Sequence, residues 1–184
     1  MSPIVSGGGG GAGGLVSLFD SGFLGADAAS IDTGANGVPA THGTLVIVGY
    51  LRSTVAGGND NLNLTLNNDS SAIYSINRIQ NVNTTLAGAS FVTQTAGTAG
   101  TIPGATATAN YFGAFWGTMP AYDGATNFKT GYFITNCNDN TAANSLSTTC
   151  AIGYGSATAI SRLKLAAAGG NLKAGSRLII YGTQ

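Results

Sequence analysis

The pattern of apolar and polar positions is clearest over residues 43–68, G-TLVIVGYLR-STVAGGND-NLNLTLNND. Leu45, Ile47, Gly49 and Leu51 fall on one face of an extended segment, and Val46, Val48 and Tyr50 on the other. Side chains of a strand point alternately to its two faces, so a strand apolar on both belongs inside a sandwich or against a partner subunit. Turn chemistry centred on Gly57-Gly58-Asn59-Asp60 follows, after which Leu62, Leu64 and Leu66 alternate with Asn61, Asn63, Thr65 and Asn67. That period of two predicts a strand with one wet face, and the two segments together predict a strand pair in an all-β fold.

The same reading predicts strands at 15–20 (LVSLFD), 29–33, 73–80 (IYSINRIQ), 90–94 (SFVTQ), 110–119 (NYFGAFWGTM), 129–138 (KTGYFITNCN), 146–154 (LSTTCAIGY), 160–166 and 176–181. Residues 95–109, rich in Gly, Thr and Ala around Pro103-Gly104, read as a loop. Helical periodicity reaches a single turn at most, at 166–172. About nine or ten strands at this spacing predict an antiparallel β-sandwich of jelly-roll type. Its domain is expected to run over 15–184, behind an extended Gly-rich arm at 1–14.

Composition alters the picture in one respect. Only 8% of the 184 residues are charged, against about 25% in ordinary soluble domains, and the formal net charge is zero. A neutral surface resists association poorly, so a chain that lives assembled is expected. The same neutrality gives no electrostatic footprint for nucleic acid or an anionic membrane. No run approaches the ~20 apolar residues of a membrane span, and no basic residue precedes an apolar run near Met1, so no targeting segment is expected.

The arm holds Gly7, Gly8, Gly9, Gly10 and Gly11 in S-GGGGG-A-GG. Glycine loses the most backbone freedom on ordering, and its missing Cβ allows close backbone approach, so the arm is expected to lie against another chain. A phosphate-cradling loop is disfavoured, because no strand precedes the run and no G-K-[ST] follows it.

Three stretches are similar in their order to a family of small phage-encoded virion β-sandwich proteins. They are TLVIVGYLR, then LTLNNDSSAIYSINRI, and finally AISRLKLAAAGGNLKAGSRLIIYG. In that family a strand ending in F/L-N-x-D leads to S-x-x-Y, here Leu66-Asn67-Asn68-Asp69-Ser70-Ser71-Ala72-Ile73-Tyr74. A terminal hairpin reads I-x-x-[LIM]-x-[LV]…[FL]-x-x-G-S-R-[LF]-x-[LI]-Y-G, here 160–182. The resemblance implies a place on the surface of a tailed-phage particle, as capsid decoration or cement protein, head fibre or tail-fibre tip. It brings no catalytic residues with it, and it implies synthesis in the host cytoplasm and residence on the virion.

The chemistry-bearing residues are few. His42 is the only histidine, so a two-His metal site within one chain is impossible, and it reads as a loop residue ahead of a strand. The seven acids are all Asp, each in or beside a turn-like segment where Asx side chains satisfy local backbone donors. The Asn/Asp clusters at 59–61, 67–69 and 138–140 miss the EF-hand spacing and read as turns. Neither a catalytic residue nor a cofactor or metal ligand is assigned. In NYFGAFWGTM alternation sends Phe112 and Trp116 to one face and Tyr111 and Phe115 to the other. One pair is therefore core, and Phe112 with Trp116 is the candidate contact with a subunit or capsid.

The expectation is a non-enzymatic virion structural protein, a homotrimer bound to the major capsid protein or another virion protein. The alternative is a receptor-binding tip whose loops near Asn59, Gly100 and Asn140 meet host glycan. Finally, a hairpin of 129–138 and 146–154 centred between Ala143 and Asn144 sets Cys137 directly opposite Cys150, close enough for a disulfide with modest adjustment. Two reduced thiols packed as small apolar side chains are the other outcome.

Overall fold

The computed structural model describes residues 14–137 and 145–183; the glycines at 7–11 lie outside them. The described chain is all strand and loop. Its strands are β1 (Leu15–Asp20), β2 (Ile31–Asp32), β3 (Thr44–Leu51), β4 (Asn59–Leu66), β5 (Tyr74–Val82) and β6 (Thr85–Gln94), followed by β7 (Gly97–Pro103), β8 (Gly113–Pro120), β9 (Lys129–Cys137), β10 (Leu146–Tyr154), β11 (Leu163–Ala167) and β12 (Arg177–Thr183). An eight-stranded sheet in the order β1-β12-β3-β8-β9-β10-β5-β6 packs on a four-stranded sheet in the order β2-β11-β4-β7, and every pairing is antiparallel. This is the expected β-sandwich, with twelve strands in place of nine or ten.

The core lies between the sheets. Leu45, Ile47 and Leu51 of β3, Phe115 and Met119 of β8, and Phe133 of β9 meet Leu62, Leu64 and Leu66 of β4 and Leu163 and Leu165 of β11, all essentially inaccessible. Phe133 sits directly opposite Gly117 of β8, and a Cβ there would stand 2.1 Å from the ring, so only glycine leaves the ring room. The ring then stacks on Phe115 at 5.7 Å.

Consecutive strands often belong to different sheets, as in a jelly roll. β3 and β4 do not pair: the turn at 57–60 carries the chain from the large sheet to the small one. Likewise β11 and β12 are no hairpin, because β11 lies between β2 and β4 while β12 lies between β1 and β3. The stretch read as a loop at 95–109 contains β7, which is almost wholly buried and closes one edge of the small sheet. Its small residues carry no periodicity, yet they suit a strand pressed against the facing sheet. A Cβ on Gly100 would stand 2.3 Å from the Thr135 side chain.

The hairpin-forming β9 and β10 pair as expected, but not in the register that joins the cysteines. Cys137 stands opposite Leu146, and Cys150 opposite Phe133. Both thiols are buried and neither is in a disulfide. The two positions are offset by four residues, about 13 Å along the strand at ~3.3 Å per residue. Alternation fixes only which face a residue takes, so a shift by an even number keeps both sulfurs inward while separating them.

The 66–74 stretch forms a locked corner. Asn67 and Asn68 take positive φ. Asn67 Oδ1 accepts from the Ser161 amide at 2.8 Å, and its Nδ2 donates to the Ala159 carbonyl at 2.9 Å. The Tyr74 hydroxyl accepts from the Leu66 amide at 2.9 Å and donates to the Asp69 carbonyl at 3.0 Å, and burial pushes its pKa up to about 12. The F/L-N-x-D…S-x-x-Y pattern is therefore structural in this chain: it ties the end of β4 to the start of β5 and to the segment before β11.

Candidate interaction surface

The outward face of the eight-stranded sheet is built by the other half of each alternation. Directly opposed residues form three rows across it. The middle row runs Ile179, Val48, Trp116, Ile134, Thr149, Ile79 from β12 to β5. On one side lies the row Arg177, Tyr50, Ala114, Asn136, Ser147, Asn81, and on the other Tyr181, Val46, Thr118, Tyr132, Ala151, Asn77. Among these positions the one charged side chain is Arg177.

The belt is exposed where it is most apolar: Trp116 is 43% accessible, Tyr132 46%, Tyr50 45%, Ile79 54%, Ile134 38% and Val48 37%. With about 150–250 Å² for a whole aromatic side chain, these six leave on the order of 500 Å² open, which is as large as the biggest patch on an ordinary monomer and typical of interaction sites. Phe112 and Trp116 both belong here. Trp116 occupies the middle of the belt, and Phe112, just before β8, stacks on Tyr50 at 4.7 Å. Phe115 is core, as alternation requires, whereas its expected face-mate Tyr111 is 39% exposed because the strand starts only at Gly113.

At the β12 end of the belt lies a shallow groove lined by Phe23, Val48, Gly49, Tyr50, Arg177 and Ile179. Phe23 is 64% exposed, and the Arg177 guanidinium lies 5.1 Å from its ring centre. Arg177 also donates to both carboxylate oxygens of Asp20, at 3.0 and 2.5 Å, which holds that carboxyl below its usual range. The groove is thus apolar with one neutralised charge pair on its rim. Sequence reasoning missed it, because Phe23 lies in a loop with no periodicity and joins β3 and β12 only in three dimensions.

The remaining candidates are structural. The His42 ring lies against Gly182, where a Cβ would meet it at 2.5 Å, and its Nδ1 is 2.9 Å from the Thr41 hydroxyl. Asp60 is buried and accepts from the Ser53 hydroxyl at 2.7 Å and from the Gly169 amide at 3.1 Å. Among the described residues no three His, Cys, Asp or Glu side chains gather as a metal site. Of the loops named for glycan, Asn59 opens β4, Gly100 is buried in β7, and Asn140 lies outside the described residues. Burial pushes the Cys150 thiol up to about 11. The chain matches no protein-family model and no curated protein.

Proposed function

We propose that this chain is a non-enzymatic structural protein of a tailed-phage particle that decorates or cements the capsid from the surface. The apolar belt is the observation that carries this reading. Much of any protein surface is apolar, so scattered exposed side chains carry no message. Here aromatic and branched residues are contiguous over the four strands β12, β3, β8 and β9, on a chain with 8% charge. Such a face is stable in water only at the risk of association, and covering it with other protein removes that risk. The resemblance of 66–74 and 160–182 to virion β-sandwich proteins supplies the setting.

The second reading, a receptor-binding tip recognising host glycan, draws support from the groove beside Phe23. An exposed ring with a guanidinium above it and a carboxylate at its rim offers both stacking and hydrogen bonding to a sugar. One experiment separates the two: quantitative mass spectrometry of purified particles, with antibody labelling of the chain by electron microscopy. A decoration protein is present in hundreds of copies on the head; a tip is present in a few copies on the tail. Absence from the particle would refute both.

A further inference from the structure

Of the four strands that end the two sheets, three are short, irregular or buried. β2 has two residues, β7 is buried, and β1 has six, broken by a bulge between Ser17 and Phe19. The fourth, β6, has ten residues, TLAGASFVTQ, with neither a charge nor a proline. Among the described residues it pairs with β5 alone, and the small sheet, which packs over β9, β10 and β5 through β7, does not extend over it. Eight of its ten residues are exposed, including Leu86 at 72% and Val92 at 65%.

Alternate residues of an edge strand aim N–H and C=O away from the sheet, so β6 offers about five unpaired sets over about 34 Å. Proteins blunt such edges with lysine, proline, bulges or short length, because an open edge is a template for another strand. The one device of that kind in β6 is the irregularity near Thr93, at its far end, where φ is 55°. Residues 85–91 pair regularly with β5 at six successive positions and Phe91 with Ile76 at the seventh.

The geometry points to β6 as a self-pairing edge: β6 of one copy adds antiparallel to β6 of a second copy about a two-fold axis near Gly88. Identical antiparallel strands are self-complementary about a two-fold. The segment has no charge, so no register sets like charges against each other. An axis at Gly88 places Ala87 opposite Ala89 and Leu86 opposite Ser90, with small residues at the centre where the two sheets meet. This deepens the proposed function by naming one partner as a second copy, and it rests only on the assembly half of that reading. It gives a two-fold contact where the sequence led us to expect a homotrimer.

The test uses the full chain. Sedimentation equilibrium is expected to give two copies of the 18.2 kDa chain at micromolar concentration. Leu86→Lys with Ser90→Lys, which face Asn81 and Asn77 of β5, sets lysines against each other across the axis and is expected to weaken dimerisation at least tenfold while each chain stays folded. A Cβ at Gly88 would approach only the Arg78 carbonyl, at 3.9 Å, and the backbone there is ordinary, so Gly88→Cys fits the fold. It is expected to give a cross-linked dimer on oxidation, whereas Thr130→Cys on the outward sheet face gives none. A wild-type mass of one or three chains overturns the proposal. So does a folded lysine variant that stays dimeric, or a Gly88→Cys chain that resists cross-linking. A chain that dimerises through β6 yet is missing from particles would sink the virion reading alone.

Discussion

Arg52, at the end of β3, shows how much this low-charge chain asks of single polar side chains. It is 3% exposed, with no carboxylate within ion-pair distance among the described residues. Its Nη1 donates to the carbonyls of Thr108 and Tyr111 at 2.9 and 3.1 Å, and its Nη2 to those of Ala105 and Ala107 at 3.2 and 2.8 Å. One planar fork therefore fixes the segment that leads to Phe112 and the Tyr50 stack. Arg52→Met is expected to destabilise the fold by about 3 kcal/mol, because it removes four hydrogen bonds from a charged donor, one of them to the carbonyl of buried Ala107. Arg52→Lys should recover less than half, since an ammonium cannot hold the fork geometry. Urea unfolding of the three proteins measures both. A loss under 1 kcal/mol for the methionine variant would show that the segment is held by something else.

At the scale of elements, strong alternation was legible and weak alternation was not. LSTTCAIGY gives β10 its observed limits, because Leu146, Thr148, Cys150, Ile152 and Tyr154 all point inward. β7, made of Gly, Thr, Ala and Ile with a closing Pro103, has no such signal, since its place is set by fit against Thr135 and Ile152 across the core. The belt was half legible: Val46, Val48 and Tyr50 showed a second apolar face, but the rows that join them to Ile134 and Ile79 depend on registers that parity leaves open. The short outer strands depend on charge. Arg162 holds Asp32 across β2 and the start of β11, at 2.9 and 2.6 Å, as Arg177 holds Asp20 across β1 and β12. These hydrogen bonds lower both carboxyl pKa values below the reference 3.8. The sign follows: the contribution is complete above the unfolded value and is lost as pH falls through the folded ones. Urea midpoints should therefore hold steady from about pH 7 to 5 and decline below about pH 4. Asp32→Asn should flatten the decline. Because both pairs are partly exposed, the effect is modest.

For the whole molecule, the two proposed association surfaces can be told apart by one natural probe. Trp116 is the only tryptophan in the chain, and it stands mid-belt at 43% exposure. β8 lies four strands from β6 in the large sheet, roughly 19 Å at ~4.8 Å per strand. Pairing through β6 therefore leaves the indole in water, whereas attachment through the belt dries it. Emission from the purified protein should be that of a partly hydrated indole and should not move between dilute and dimeric concentrations. On binding to particles stripped of this protein it should shift to the blue and become resistant to acrylamide. Trp116→Lys tests the same surface by loss. The side chain is outside the core, so the substitution should change stability by less than about 1 kcal/mol. A charge placed among Val48, Ile134 and their covering partner would be desolvated without a counter-ion, and binding to particles should fall by at least tenfold. A variant that binds as wild type does, or an indole whose emission stays fixed on attachment, would remove the belt as the site of attachment while leaving the β6 dimer intact.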